Sequence, residues 1–478
     1  MTPSNKRLEL SKEEMQQFGY KIVDEIVSHF DTQESKSPIV SATRTEMDDL
    51  FHEPVPMDPK DPNEVLDYVV NNALPYCNIT SHPKSYSFVP GPSNYVSVMA
   101  DALATGYNIF SGGWVASPAA SAIEITTINW LLKIFGFPAK RGGGLFTSGG
   151  SMANLTALVT ARRHRCREDF SKAVIYMSDQ AHSSNIKAIR VIGFRKDQVR
   201  IIPTDSEYKV GMNKLKNAIA RDRLAGLKPF CLIASAGTTN TGTVDPLDEM
   251  GKLCAKEDIW FHIDGAYGGA AILSKNGKQL LKGIQRADSL TVDPHKWFYQ
   301  PYEMGCLLVR NHKWLTQAFA EKPEYLRDVE GNTSEINFYD HGIQLTRRFR
   351  ALKFYMSVKT FGLQAFKDAV DYCLDLAEQA EEVLRVSPHW EVVSHATLGV
   401  VNFRYNPMAL HLTEKQLDAI NQKISKQIIA NGDALLVTTV LNGQVVLRMC
   451  LINPRTTLEH IGETLDQCHA IGSKITQA

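Results

Sequence analysis

Short apolar runs alternate with helix-like segments between about residues 100 and 365, and this alternation constrains the fold more than any other feature of the chain. The runs are too short for buried helices, which is typical of parallel strands covered on both faces. We therefore predict an α/β domain with a mainly parallel sheet and a functional site at the carboxyl ends of its strands. The predicted strands are residues 174–177, 231–234, 260–263, 289–292 and 306–309, and the predicted helices include residues 153–165, 185–192 and 248–256.

The N-terminal segment, residues 1–99, precedes this domain and has a different pattern. It combines a capping box, Ser11 with Glu14, ahead of an amphipathic helix with a Pro- and Asp-rich stretch at residues 53–63 that indicates an extended arm. Such a segment buries little surface by itself. We therefore expect it to pack on a second subunit.

The C-terminal segment follows the domain that spans residues 100–365. A long helical stretch at residues 346–383 leads into a smaller α+β unit, residues 366–478. In this unit we predict strands at residues 392–403 and 444–451 around a helix at residues 414–430.

Composition excludes several classes of protein. The 478 residues carry a formal net charge of zero, which argues against nucleic acid or an anionic membrane as partner. The start, Met1 to Glu9, is polar, and the best candidate for a membrane span, residues 114–137, carries Glu124 and Lys133. The eight cysteines are scattered without a Cys-x-x-Cys pair, so we expect reduced thiols in a cytoplasmic protein and no metal site.

Two of the predicted strands end in residues that could hold an aldehyde cofactor. Asp264 closes one apolar run, and Pro294-His295-Lys296-Trp297 follows a later one. A lysine amine can form a Schiff base with pyridoxal phosphate, and a carboxylate can keep the pyridine nitrogen protonated so that the ring accepts electrons. The alternative is that Asp264 and Lys296 are ordinary polar residues at strand ends.

A glycine-rich turn, residues 142–151, opens onto a predicted helix. Glycines allow close approach of the backbone to an anion, and the first amides of a helix lack intrahelical partners. Together with the Ser151 hydroxyl they predict a phosphate site, although Ser151 could equally be a simple helix cap. The turn lacks the Gly-Lys-Ser/Thr of a P-loop and the Gly-x-Gly-x-x-Gly of a dinucleotide fold.

Other strand ends add polar side chains to the same predicted edge. His182 lies just past a strand end and is a candidate to stack on a planar ring and to act as an acid or base. Residues 235–239 form a turn of small and hydroxyl side chains that could bind phosphate or the lysine. Asp245 lies beyond it, where capping the next helix is an equally good interpretation.

These motifs, taken together, resemble the group II pyridoxal-phosphate-dependent decarboxylases, and among them the aromatic-L-amino-acid decarboxylases most closely. The resemblance covers essentially the whole chain and includes Trp114 and Glu124. It implies fold type I of the PLP-dependent transferases, the aspartate aminotransferase superfamily, and a homodimer with shared active sites. The motifs are Thr147-Ser148-Gly149-Gly150-Ser151, Asp179-Gln180-Ala181-His182-Ser183-Ser184, Asp264-Gly265-Ala266-Tyr267, Pro294-His295-Lys296-Trp297 and Arg347-Arg348-Phe349-Arg350-Ala351-Leu352-Lys353.

The resemblance also implies roles for individual residues. Lys296 would form the Schiff base, Asp264 would face the pyridine nitrogen, and His182 would stack on the ring. The implied reaction is decarboxylation of an aromatic L-amino acid through a quinonoid intermediate, giving an amine and CO2. The remaining cofactor contacts implied are Gly150, Ser151, Thr239 and His295 around the phosphate and Ala266 under the ring.

The chain departs from the family in the loop that, in these decarboxylases, reaches over from the neighbouring subunit and carries a proton-donating tyrosine. Aligning Arg347-Arg348-Phe349-Arg350 without a gap places Phe338 at that position, with Tyr339 next to it. Phenylalanine has no acidic proton, and in related aldehyde synthases this replacement gives an aldehyde, ammonia and hydrogen peroxide. An aromatic aldehyde synthase is therefore an alternative.

The substrate side-chain pocket is the weakest part of the resemblance. Tyr86, Phe88 and Trp114 could line an aromatic pocket, although each could equally be core. No obvious extra arginine awaits an acidic side chain, which disfavours glutamate and sulfinoalanine; histidine is a further alternative substrate. A non-catalytic binding protein is disfavoured because Lys296, Asp264 and His182 are all present.

Overall fold

Strands from the middle of the chain form a mixed, mostly parallel sheet in the computed structural model, which describes residues 8–89, 91–321 and 335–477. The strand order within the described residues is β1-β7-β6-β5-β4-β2-β3. β7 runs antiparallel to both of its neighbours, β6 and β1, whereas the other adjacent pairs are parallel. The strands are β1 Gly143–Thr147, β2 Ala173–Ser178, β3 Val199–Ile202, β4 Lys228–Ser235, β5 Trp260–Asp264, β6 Ser289–Val292 and β7 Gly305–Val309.

Every strand predicted for this sheet is confirmed. Each residue of β2, β5, β6 and β7 is buried, which explains why these strands read as continuous apolar runs. β3 was missed because this strand at the edge of the sheet is only partly buried and carries Arg200.

Helices cover the sheet, and further helices precede and follow its strands along the chain. The predicted helices at residues 153–165, 185–192, 248–256 and 414–430 are confirmed with slightly different ends. The helices are α1 Lys12–Thr32, α2 Arg44–Phe51, α3 Pro62–Asn72, α4 Tyr95–Gly106, α5 Pro118–Phe135, α6 Gly150–Cys166, α7 Ser183–Val191, α8 Met212–Leu224, α9 Leu247–Glu257, α10 Lys275–Leu280, α11 Lys313–Phe319, α12 Ala351–Val386, α13 Glu414–Asn431 and α14 Leu458–Gln477.

The N-terminal helices lie on the outside of the chain. The predicted capping box is confirmed, because the Glu14 amide donates to Ser11 Oγ and the Ser11 amide donates to Glu14 Oε2. The predicted arm is shorter than expected, because Pro62 opens α3, for which proline's fixed φ is suited. None of α1, α2 and α3 buries a residue within this chain.

A second, antiparallel sheet forms the C-terminal unit, in the order β10-β11-β9-β8. The single strand predicted at residues 392–403 is wrong: it is a hairpin that turns at Leu398 and Gly399, which both have positive φ. Leucine at the first turn position hid the turn, since a two-residue turn of this type favours Asn or Gly there. The strands are β8 Trp390–Thr397, β9 Val400–Tyr405, β10 Val437–Leu441 and β11 Gln444–Cys450.

The long helix starts later than predicted. α12 begins at Ala351, and the residues before it carry Arg347 into the interior. Among the described helices, none combines the length and the apolar character needed to cross a bilayer.

Candidate active site

A cavity of about 280 Å³ lies where the carboxyl ends of the parallel strands meet the glycine-rich turn. Side chains that follow β2, β4, β5 and β6 converge there, as expected for an α/β sheet. All eight residues predicted to contact the cofactor line this one cavity. They are Gly150, Ser151, His182, Thr239, Asp264, Ala266, His295 and Lys296.

Lys296 extends into the cavity from the turn after β6. Its Nζ lies 3.0 Å from Oδ2 of Asp293, a carboxylate that is only 2% exposed. Gly91 passes directly over the lysine, because a Cβ at that position would lie 1.8 Å from the Lys296 carbonyl oxygen. The lysine amine is thus held against a buried carboxylate, within a wall that leaves no space for a side chain at residue 91.

Asp264 ends β5, and neighbouring amides saturate one of its carboxylate oxygens. Oδ2 accepts hydrogen bonds of 2.9 Å from both Asn154 Nδ2 and Asn185 Nδ2, and Oδ1 accepts one of 3.2 Å from the Ala266 amide. Burial alone would raise the pKa of Asp264, but the charge that His262 carries at low pH, the Asn185 amide and the Lys296 charge outweigh it, and the pKa lies below its ordinary value. Asp264 is therefore ionised, as a partner of a protonated ring nitrogen must be.

His182 caps the start of α7 and has one ring nitrogen already committed. Its Nδ1 accepts from the Ser184 amide at 3.2 Å and lies 2.8 Å from Ser184 Oγ. In the neutral ring the proton is then on Nε2. His182 can donate into the cavity from that nitrogen.

The glycine-rich turn fits an anion such as a phosphate group. Gly149 has a φ of +143°, and a Cβ on Gly150 would lie 2.7 Å from Asp293 Oδ2 and 3.1 Å from Ala266 Cβ. The 17-residue helix α6 starts at this turn and directs its unpaired first amides toward the cavity. The glycines of this turn thus leave a concave space beside the backbone that a Cβ would occupy.

The turn after β4 forms the wall that joins the two sheets. Arg448, a buried residue of β11, donates from Nε to the Thr239 carbonyl at 2.7 Å and from Nη1 to the Phe88 carbonyl at 2.8 Å. The sequence analysis missed Arg448, because an arginine in a predicted strand carries no local signal that it reaches another domain. Asn154 and Asn185 were also missed, because an asparagine in a predicted helix carries no local signal that it contacts Asp264.

Asp245 does not cap a helix, so that interpretation is wrong. Pro246 stands at the N-cap position of α9, and the Asp245 carboxylate accepts from the Ser235 and Val210 amides at 2.8 and 3.0 Å. Burial raises the pKa of Asp245 to about 6. The residue supports the end of β4 behind the cavity.

The predicted substrate pocket is corrected at Tyr86 and stays a prediction at Phe88 and Trp114. Tyr86 is 1% exposed in the core of the C-terminal unit, where its hydroxyl bonds to the His460 carbonyl and Thr464 Oγ1, so its assignment to the pocket is wrong. Phe88 is exposed, and Arg448 holds its carbonyl beside the cavity wall. Trp114 is half-buried, and neither Phe88 nor Trp114 lines the cavity within this chain.

Phe338 does not line the cavity of its own chain, and its predicted place in a loop that reaches the neighbouring subunit's site stays a prediction. The ring is 2% exposed and packs in a core cluster with Leu145 and Leu307, while the Arg347 guanidinium lies 5.0 Å from its centroid. Tyr339 is half-buried and donates its amide to the Gly112 carbonyl, and it does not line the cavity either.

Comparison with known proteins agrees with this geometry. Residues 45–406 match the model of the pyridoxal-dependent decarboxylase conserved domain. The chain is 46% identical over 473 residues to an aromatic-L-amino-acid decarboxylase of Bacillus atrophaeus, covering 99% of this chain and 98% of that one. It is 30% identical to a phenylacetaldehyde synthase of Arabidopsis thaliana, over 95% of each.

A solved structure confirms the predicted fold. The crystal structure of Oryza sativa TDC with PLP and tryptamine matches with a TM-score of 0.92 at 26% identity, covering 98% of this chain and 99% of that one. The predicted family, fold and cofactor are therefore confirmed. A lysine, an ionised carboxylate and a glycine-rich turn in one cavity agree with these matches, which establish that the chain belongs to the pyridoxal-dependent decarboxylase family and is a PLP-dependent enzyme of fold type I.

Proposed function

We propose that this decarboxylase removes the α-carboxyl group of an aromatic L-amino acid as CO2 and releases the corresponding amine. The observation that carries the proposal is the placement of Lys296 and Asp264 in one cavity, at the ends of adjacent strands. The 46% identity to the Bacillus atrophaeus aromatic-L-amino-acid decarboxylase supports the aromatic substrate class.

Bound pyridoxal phosphate supplies the electron sink that makes loss of CO2 possible. Lys296 Nζ would hold the cofactor covalently, and Asp293 Oδ2, 3.0 Å away, orients the amine. Asp264, held ionised, would stabilise the protonated form of the cofactor ring nitrogen. His182 presents an Nε2 proton to the cavity, where it can bind the substrate or move a proton.

The phosphate would be held by uncharged donors and the end of a helix. The amides at the start of α6, the Ser151 hydroxyl and the Thr239 hydroxyl line the same part of the cavity. Hydrogen bonds from preorganised amides bind an anion without the entropy cost of ordering long charged side chains.

We further propose a homodimer with shared active sites, located in the cytoplasm. The external helices α1, α2 and α3 bury no residue in the single chain and leave apolar side chains exposed, including Met15, Tyr20 and Val65. A second subunit would cover these side chains. The eight cysteines are all unpaired thiols, which fits a reducing compartment.

The amine is favoured over an aldehyde because similar proteins named as aromatic-L-amino-acid, tyrosine and tryptophan decarboxylases support it. The aldehyde alternative depends on Phe338 standing where a proton donor is needed in the neighbouring subunit's site, and that position stays a prediction. The similarity to a phenylacetaldehyde synthase keeps the aldehyde as an outcome that the experiment must measure.

Replacing Phe338 with tyrosine is expected to leave the ratio of amine to CO2 unchanged. The new hydroxyl would be buried without a partner, so the free energy of unfolding should fall by about 1–3 kcal/mol. Product analysis and urea denaturation measure the two effects. A product that changes with this substitution would show that Phe338 controls the reaction after all.

Product analysis tests the proposed function itself. Purified enzyme is incubated in air with pyridoxal phosphate and, in turn, L-tryptophan, L-tyrosine, L-phenylalanine, L-DOPA, L-glutamate, L-cysteine sulfinate and L-histidine. CO2, amine, aldehyde and peroxide are quantified. Amine equal to CO2 from an aromatic substrate is the expected result. Aldehyde and peroxide equal to CO2, or turnover confined to the other amino acids, would overturn the proposal.

A further inference from the structure

A chain of buried hydrogen bonds reaches the cofactor site from the interface between β5 and α6. His262 precedes Asp264 by two residues in β5, so both side chains lie on the same face of the strand. Its Nε2 lies 3.1 Å from Asn154 Oδ1, and its Nδ1 lies 2.9 Å from Ser289 Oγ. Trp260 Nε1 donates to the same Ser289 Oγ at 2.9 Å.

The chemistry of these groups determines where each proton lies. Trp260 can only donate, so Ser289 Oγ accepts from the indole and its own hydrogen is available to His262 Nδ1. Burial lowers the pKa of His262 to about 4, so the ring is neutral near pH 7. A neutral ring that accepts at Nδ1 carries its proton on Nε2 and donates it to Asn154 Oδ1.

This donation fixes the Asn154 amide in one orientation. With Oδ1 occupied by His262, Nδ2 faces Asp264 Oδ2 at 2.9 Å and Ser184 Oγ at 3.1 Å. The opposite orientation would place Oδ1 against the Asp264 carboxylate, with two acceptors facing each other, and Nδ2 against the His262 N–H. Both contacts would be lost.

The same amide therefore acts on both cofactor residues. One N–H of Asn154 reaches the carboxylate of Asp264, and the other reaches Ser184 Oγ, whose hydrogen is then directed at His182 Nδ1, 2.8 Å away. Asp264 is thereby stabilised as a carboxylate, and His182 is kept with its proton on Nε2.

We propose that His262 and Asn154 are positioning residues that hold Asp264 ionised and His182 in a single tautomer, although His262 does not line the cavity. The proposal rests on the assigned roles of Asp264 and His182 toward the cofactor. It does not depend on which amino acid is the substrate.

Replacing His262 with leucine tests the proposal on the purified enzyme. The Asn154 amide loses its donor, so the Asp264 carboxylate loses a fixed partner. We expect the dissociation constant of pyridoxal phosphate to rise about 10-fold or more. The visible absorption of the bound cofactor should also change its dependence on pH. His262→Gln, whose amide can still donate to Asn154, should remain close to the wild type in both measurements.

Controls separate this effect from general damage. His341 is another buried histidine that does not line the cavity, and His341→Leu should leave cofactor affinity and absorption unchanged. Thermal unfolding is recorded for every variant. If His262→Leu does not yield folded protein, Asn154→Asp, which places a second carboxyl group against Asp264, is measured instead and should weaken cofactor binding at least as much.

Asp264→Asn serves as the reference for the cofactor role. If Asp264→Asn alters binding and absorption while the folded His262 and Asn154 variants match the wild type, the positioning role is overturned and the role of Asp264 stands. If Asp264→Asn itself has no effect, the assigned role of Asp264 is overturned and the positioning role with it. Failure of the aromatic substrate assay affects neither comparison, because both are made without substrate.

Discussion

Lys296→Ala is expected to lose covalent binding of pyridoxal phosphate and to lower kcat by on the order of 10³-fold or more. The lysine is the cavity residue that can form and release a covalent bond to the cofactor aldehyde, and its Nζ is held ready by Asp293. Borohydride reduction of the holoenzyme followed by peptide mapping measures the covalent bond. Single-turnover decarboxylation measures the rate.

Lys84→Ala is a matched control for this variant. The Lys84 side chain is 18% exposed against 20% for Lys296, and it pairs with Glu463 as Lys296 pairs with Asp293, but it does not line the cavity. Cofactor binding and kcat should match the wild type. Reduced cofactor remaining on the Lys296→Ala enzyme would mean that a different lysine forms the bond.

Glu124→Gln is expected to lower the free energy of unfolding by about 3–5 kcal/mol. Glu124 and Arg347 form an ion pair in which both side chains are 1% exposed or less, with two hydrogen bonds of 2.6 and 3.2 Å. Removing the carboxylate leaves the guanidinium buried without a counter-charge. Denaturation by urea, followed by fluorescence, measures the loss.

The ion pair also joins several segments around β1. Arg347 donates to the carbonyls of Ser111 and Phe146, and the Phe146 amide donates back to Glu124 Oε1. The guanidinium also lies over the ring of Phe338, 5.0 Å from its centroid. Several connections would therefore weaken together in Glu124→Gln.

Arg348→Ala provides the comparison at the adjacent residue. Arg348 pairs with Asp101 at 3.2 Å, but its side chain is 53% exposed, and pairs of this kind contribute about 0–1 kcal/mol. Its loss should change the urea midpoint little. Equal destabilisation by Glu124→Gln and Arg348→Ala would contradict the idea that burial determines how much an ion pair contributes to the free energy of unfolding.

The cofactor site was predictable because parallel strands bring their carboxyl ends to one edge of a sheet. Asp264 and Lys296 each follow an apolar run, and the position of a residue after a strand along the chain therefore predicted its position in the cavity. The glycine-rich turn was predictable for a similar reason, since its conformation is a local property of glycine.

Side-chain contacts between distant parts of the chain were not predictable in this way. Tyr86 was assigned to the substrate pocket from its order in the chain, but packing placed it in the core of the C-terminal unit, and Phe338 also packs in a core of its own chain. An aromatic ring can pack in a core or line an active site, so the residue type alone could not decide which of these two environments each ring occupies.

The sequence by itself determined the fold class and the residues at the strand ends, because these follow from local periodicity, and it predicted the cofactor through the chemistry of Asp264 and Lys296 and the resemblance of its motifs to the family. Only the tertiary structure decided how those residues are supported. Asn154 lies 110 residues from Asp264 along the chain, and their hydrogen bond depends on how α6 packs on β5. The ionised state of Asp264 follows from this packing, since a buried carboxylate needs partners that no local pattern specifies.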